Sequence, residues 1–208
     1  MIFKDIQATI NIDLNKSIEE LWNNLDKDAR WGVKRAIKEG LVFKDIPAKE
    51  WESFYYIYKE TCLRGGIPPM LFPRLLETGG KLFGAYYKNQ LIAGALVRLK
   101  DNKVILTLNS SLPEYLVKQP NNLLYWKIIE WSKSKGCRVF DLGGYQLNTK
   151  QGDKLYHINR FKERWGGQIK IYYVYSNNPF YILGRKVIRN FPKVKKVRDR
   201  IRLRIRIK

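Results

Sequence analysis

Histidine and cysteine are nearly missing from this chain. His157 is the only histidine, and Cys62 and Cys137 are the only cysteines, in 208 residues. Two cysteines cannot build a disulfide framework. Neither sits in a C-x-x-C pair, so a zinc site is not expected. A Ser-His-Asp triad or a Cys-His pair would have to use His157, and nothing around His157 supports either. Long apolar runs are missing too. None reaches the roughly 18 residues that a membrane-spanning helix needs. The opening MIFKDIQATINID places charges where a signal peptide needs its apolar stretch. A cytosolic protein is therefore expected.

Acid is the other deficit. Nineteen Asp and Glu face 40 Lys and Arg, which leaves a net charge of +21. That excess is more than solubility requires. It points to an anionic partner, whether nucleic acid, a phosphorylated substrate or an acidic membrane surface. Apolar residues make up 45% of the chain and aromatics 13%. This is too rich for a disordered chain, so a packed globular protein is expected. The length suits one domain with a full core.

Periodicity gives the organisation. Gln7 to Leu14 alternates apolar and polar residues, with Ile10, Ile12 and Leu14 on one face, and predicts a strand. Ser17 to Glu20 reads as a capping box opening a helix. Ala29 to Glu39 is helical and stops at Gly40. A short strand, Leu41 to Asp45, precedes an aromatic helix from Ala48 to about Leu63. Gly65 to Pro69 ends that helix, and a shorter one follows to Glu77. Lys81 to Tyr87, Gln90 to Leu99 and Val104 to Asn109 read as three strands joined by hairpin turns at Lys88-Asn89 and Asp101-Asn102. A loop from Ser110 to Pro120 leads to a helix, Asn122 to Lys135. Then come a strand, Arg138 to Leu142, and its expected neighbour, Ile169 to Tyr175. The fold class expected is α/β, one mixed sheet with helices on both faces. The helical crossover from Val104–Asn109 to Arg138–Leu142 makes those two strands parallel. Ligands in such sheets gather at the carboxyl ends of the strands, where Asn109 and Asp141 to Gly144 lie.

Two segments stand out. DLGGYQLNTKQGDKLYHINRFKERWGG, Asp141 to Gly167, reads as a strand end, a Gly-Gly break, a polar loop and an aromatic, basic helix. Cations, aromatics and flexible backbone together at a strand end predict a site. From Arg185 onward the chain is crowded with Lys and Arg, with Asp199 its only acid, and Arg200 to Lys208 alternates basic and apolar residues. Residues 1–178 are therefore read as one domain with a helical lead-in. Residues 179–208 are read as a basic amphipathic tail suited to an anionic membrane surface or RNA.

Several stretches together resemble one family. ETCLRGGIPP (Glu60 to Pro69) resembles the T-x-x-R-x-G-x-P stretch of the Fem-type peptidoglycan aminoacyltransferases. LIAGALV (Leu91 to Val97) resembles their central strand, and NNLLYWKIIEWSKSKGCRVFDLGG (Asn121 to Gly144) their next helix and strand. FKERWGG (Phe161 to Gly167) resembles their F-K-x-x-[FW]-G ending, and DARWGVKRAIKEG (Asp28 to Gly40) a stretch found upstream. The resemblance implies a GNAT-like fold and acyl transfer from an activated donor to an amine. In characterised members the donor is an aminoacyl-tRNA and the acceptor a lipid-linked cell-wall precursor; for relatives in polysaccharide gene sets the resemblance implies acylation of sugars. Many members have two GNAT-like halves. This chain resembles the second half with a short lead-in, and a homodimer is one way to replace the first. Thr107-Leu108 stand where members often carry an aromatic.

An amine attacking an ester or thioester creates a tetrahedral oxyanion, which fixed positive charge stabilises. The resemblance gives that role to Lys162, with Phe161 beside it excluding water. Asp141 is expected to take the amine's proton or hydrogen-bond the acceptor, or else to cap the Gly143-Gly144 turn. The substrate-binding candidates are Arg64, Asn109, Gly143, Gly144, Tyr145, Phe161 and Trp165. Arg64 would hold phosphate as a bidentate donor or form a structural salt bridge, and Trp165 would serve either as ligand platform or as core. No tightly bound cofactor is expected. An acyl-CoA site needs a glycine-bearing phosphate loop opening the main helix. Tyr115 to Asn122 holds no glycine, so aminoacyl-tRNA is the expected donor and acyl-CoA the alternative. The remaining partners expected are a lipid-linked cell-wall or polysaccharide precursor and the inner face of the cell membrane, reached through the tail. A non-catalytic module binding tRNA or membrane is the competing reading.

Overall fold

The computed structural model describes residues 2–178 together with Phe180, Leu183 and Gly184. The basic tail read from Arg185 onward, and the boundary drawn at residue 179, lie outside the described residues. Seven strands form one sheet: β1 (Phe3–Asp13), β2 (Val42–Ile46), β3 (Lys81–Tyr87), β4 (Gln90–Lys100), β5 (Lys103–Ser111), β6 (Val139–Tyr145) and β7 (Gln168–Ser176). Their order is β2-β3-β4-β5-β6-β1-β7. Every pair is antiparallel except β5 and β6, which run parallel as the helical crossover requires.

The helices are α1 (Ile18–Asn23), α2 (Lys27–Lys38), α3 (Trp51–Arg64), α4 (Phe72–Glu77), α5 (Pro120–Ser134) and α6 (Lys154–Glu163). The Ser17 box is complete: the Ser17 hydroxyl accepts from the Glu20 amide, and the Glu20 carboxylate accepts from the Ser17 amide. Strand alternation sends Phe83, Ile92, Val97, Val104 and Leu106 to one face, where they meet α1, α2 and α5 in the larger core. Leu82, Leu96 and Leu108 point to the other face and meet Trp51, Phe54 and Tyr58 of α3 and Leu75 of α4. The sheet is thus covered on both sides, as the pattern predicts.

Two expectations are corrected. β7 does not pair with β6. β1 lies between them, with Asn11 opposite Asp141 on one side and Gln168 on the other. Sequence order pointed to the nearer strand, but the alternating apolar face of Ala8, Ile10 and Ile12 buries better in the interior of the sheet than at its edge. The loop expected from Ser110 to Pro120 is also largely ordered. Ser110 and Ser111 belong to β5, and Pro113–Lys118 forms a 3-10 turn.

Candidate active site

β5 and β6 part company at their carboxyl ends. Their pairing runs only from Lys103 opposite Val139 to Ile105 opposite Asp141. Beyond that, β5 stays with β4 as far as Ser111, while β6 follows β1 through Gly144 opposite Thr9. The divergence opens the sheet where strand-end ligands are expected. Gly143 turns the chain there with φ +73°, and a Cβ at this position would sit 2.9 Å from the Leu106 carbonyl oxygen. Both facts require glycine.

Asp141 holds this turn. It is 7% exposed. Its Oδ1 accepts from the Gly143 amide at 2.9 Å and from the Thr9 hydroxyl, and its Oδ2 pairs with Lys103 Nζ at 2.5 Å. The Thr9 oxygen also lies 2.9 Å from the Gly143 carbonyl. Both carboxylate oxygens are engaged in organising the strand end, which is the capping role.

Lys162 faces the same turn. An aromatic cluster places it: Phe161 and Trp165 pack on the buried Tyr125 of α5, with ring centroids 5.1 and 5.2 Å away. This clamps α6 so that Lys162 Nζ reaches the Gly144 carbonyl at 2.9 Å. Burial pushes the ammonium down from 10.5 to about 8, against the opposing pull of the Asp141 charge. The neighbouring residues support the placement. Tyr145 donates to the Glu163 carboxylate at 2.7 Å, and that bond raises the phenol. Asn159, buried on α6, donates to the Gln146 carbonyl at 2.8 Å and accepts from the Gln146 amide at 3.1 Å. It thereby pins the loop between β6 and α6.

Asp141, Gly143, Gly144, Tyr145, Phe161 and Lys162 are brought together by these contacts. Arg64 is exposed at the end of α3 and has no ion pair among the described residues. The next residue, Gly65, lies against α6: Lys154 Nζ stands 3.0 Å from where a Cβ on Gly65 would be. Asn109 stands farther along β5; its amide donates to the Gly94 carbonyl and to Asn121 Oδ1, each at 3.2 Å. Of the two readings of Trp165, the structure takes core over ligand platform: the side chain is 1% exposed and packs on Tyr125 and Phe161. Thr9, Lys103, Lys154 and Asn159 were not foreseen. None of the four left a signal in its own segment: Thr9, for one, is one of several polar residues alternating along β1.

The opening of α5 offers few free donors. Pro120 has no N–H, the Asn122 and Leu123 amides both turn back to the Gln119 carbonyl, and the Gln119 amide bonds to Leu116. Asn122 is buried against Gly32 of α2, where a Cβ would come within 2.3 Å of its amide nitrogen. Lys118 is tied to Glu39 at 2.6 Å. A cavity of about 690 Å³ lies separately, between α3 and α4, lined by Tyr58, Met70, Leu71 and Arg74 among others.

Residues 69–163 match the family described as the acetyltransferase (GNAT) domain. FemX superposes with a TM-score of 0.71 at 16% identity, over 85% of this chain and 63% of FemX. The C-terminal domain of a putative lysylphosphatidylglycerol synthetase from Agrobacterium fabrum gives 0.65 at 11% identity, over 90% and 66%. L-PGS from Bacillus licheniformis gives 0.64 at 12%, over 91% and 66%. The chain spans a little under two-thirds of each of these proteins. No curated protein matches it in sequence. The splayed parallel pair and the helix between its strands, with the matched segment laid across them, give this chain a GNAT fold in a sheet arranged like that of FemX.

Proposed function

We propose that this protein is an N-acyltransferase that moves an aminoacyl group from a tRNA ester to an amine of a cell-wall or lipid-linked polysaccharide precursor. The observation that carries the reading is Lys162: a half-buried ammonium, depressed to about 8, held at the mouth of the β5–β6 divergence. The acceptor amine attacks the ester carbonyl, a C–N bond forms, and the carbonyl oxygen becomes an oxyanion. Lys162 stabilises that charge in a site where water is thinned by Phe161 and Tyr145. Collapse breaks the C–O bond, the ribose oxygen takes up a proton, and the amine loses one.

Two further observations favour a tRNA donor. The net charge of +21 attracts a polyanion, and the first turn of α5 leaves few donors for a pyrophosphate. Asp141, with both oxygens committed, positions the turn that Lys162 faces. The match to an acetyltransferase domain favours acyl-CoA as the second reading. The test is transfer of a labelled acyl group to an amine acceptor, comparing charged tRNA with acyl-CoA. Transfer from tRNA that Lys162→Met abolishes supports the first reading; transfer from CoA alone replaces it with the second.

A further inference from the structure

The outward face of α2 has no part in the site described above. Lys27, Trp31, Lys34 and Lys38 fall at spacings of four, three and four residues and form one stripe, with Ile37 flanking Lys34. The inward face is spent on the core through Ala29, Gly32, Val33 and Ala36. Outside, Trp31 is 57% exposed and Ile37 56%. The three lysines have no ion pair among the described residues. The acids at the borders are taken up elsewhere: Asp28 by Arg164, and Glu39 by Arg35 and Lys118. A single exposed aromatic is ordinary. A Trp and an Ile interleaved with three lysines that have no ion pair among the described residues is a different surface.

We propose that this face of α2 docks on an anionic lipid bilayer, with Trp31 and Ile37 in the headgroup region and Lys27, Lys34 and Lys38 over the lipid phosphates. Charge complementarity favours an anionic surface. Ile37 favours lipid over RNA: an aromatic and a cation both serve nucleic acid, but an exposed branched aliphatic side chain gains most from the apolar side of the headgroup region. An indole beside lysines suits the bilayer interface.

The test uses the full chain and vesicles of phosphatidylcholine, with and without phosphatidylglycerol. Acyl chains brominated near the headgroup quench an indole only where it touches the bilayer. The wild type is expected to partition onto the phosphatidylglycerol vesicles, and W31F to lose a component of the quenching. K34A/K38A is expected to lower the partition coefficient roughly thirtyfold, from about 1 kcal/mol for each lysine near an anionic surface. Both variants lie on an exposed face and should melt with the wild type. The proposal is overturned if the wild type does not bind these vesicles, or if W31F is quenched as fully as the wild type. It is also overturned if K34A/K38A loses tRNA binding in a filter assay while keeping vesicle binding, which would assign the face to RNA.

Discussion

Replacing Lys162 by Met should stabilise this protein and disable it. In the folded chain the ammonium sits where burial has lowered it from 10.5 to about 8. At about 1.4 kcal/mol per pH unit, that difference is a penalty of roughly 3 kcal/mol on the charged form. Below about pH 8 both the folded and unfolded chains hold the proton, and the whole penalty is present. Between about 8 and 10.5 the unfolded chain binds more protons than the folded one, so stability rises with pH. Above 10.5 both are neutral and the penalty is gone. Met keeps the stem and removes the charge. It also removes the bond to the Gly144 carbonyl, a charged hydrogen bond worth about 1.5 kcal/mol or more. The net gain at pH 7 is therefore about 1–2 kcal/mol, a rise of several degrees in Tm for a chain of this size. Acyl transfer should fall by about 100-fold to 1000-fold, the usual cost of losing one oxyanion donor. Paired thermal melts of wild type and variant at pH 7 and above pH 10.5 decide the stability half. A variant less stable than the wild type at pH 7, or a gain that persists unchanged above pH 10.5, would refute the reasoning.

Further outcomes follow from the same site. If the ammonium form is the active one, kcat/KM falls as pH rises through about 8; a rise there would make Lys162 a base. Lys162→Arg, which keeps the charge, should retain more activity than Lys162→Met, read as a ratio of kcat values. Thr9→Ala removes a buried bond to the Asp141 carboxylate and should cost about 1.5–3 kcal/mol in a urea melt, while Thr9→Ser restores most of it. Gly143→Ala meets both a left-handed backbone and the Leu106 carbonyl; it should lose about 2 kcal/mol or more and depress kcat. Asn159→Ala strands the backbone groups of Gln146 and should speed hydrogen exchange at that amide, with a loss of about 2 kcal/mol.

The legible part of the fold was local. The Ser17 capping box, the hairpins at Lys88-Asn89 and Asp101-Asn102, and the parallel β5–β6 pair all follow from patterns within a few dozen residues. The place of β1 was not legible. Its partners come from the far end of the chain, with Thr9 reaching Asp141 across 132 positions, and no period within a strand encodes that. The site divides the same way. Asp141, the glycines and Lys162 stood out because unusual residues cluster in one segment. Thr9, Lys103 and Lys154 escaped because each is ordinary in its own segment and gains meaning only from what the fold sets beside it. Trp165 stayed open between two roles because an aromatic that closes a core and one that carries a ligand look alike in sequence; its burial decides for core.

The most direct test of the acyltransfer reading is a single-turnover assay with radiolabelled aminoacyl-tRNA and an amine acceptor, run with wild type and Lys162→Met at pH 7. Label is expected to move to the acceptor amine with the wild type and to stay on the tRNA with the variant, while thermal melts show the variant folded. Equal transfer by both proteins, or no transfer by the wild type from either charged tRNA or acyl-CoA, would contradict it.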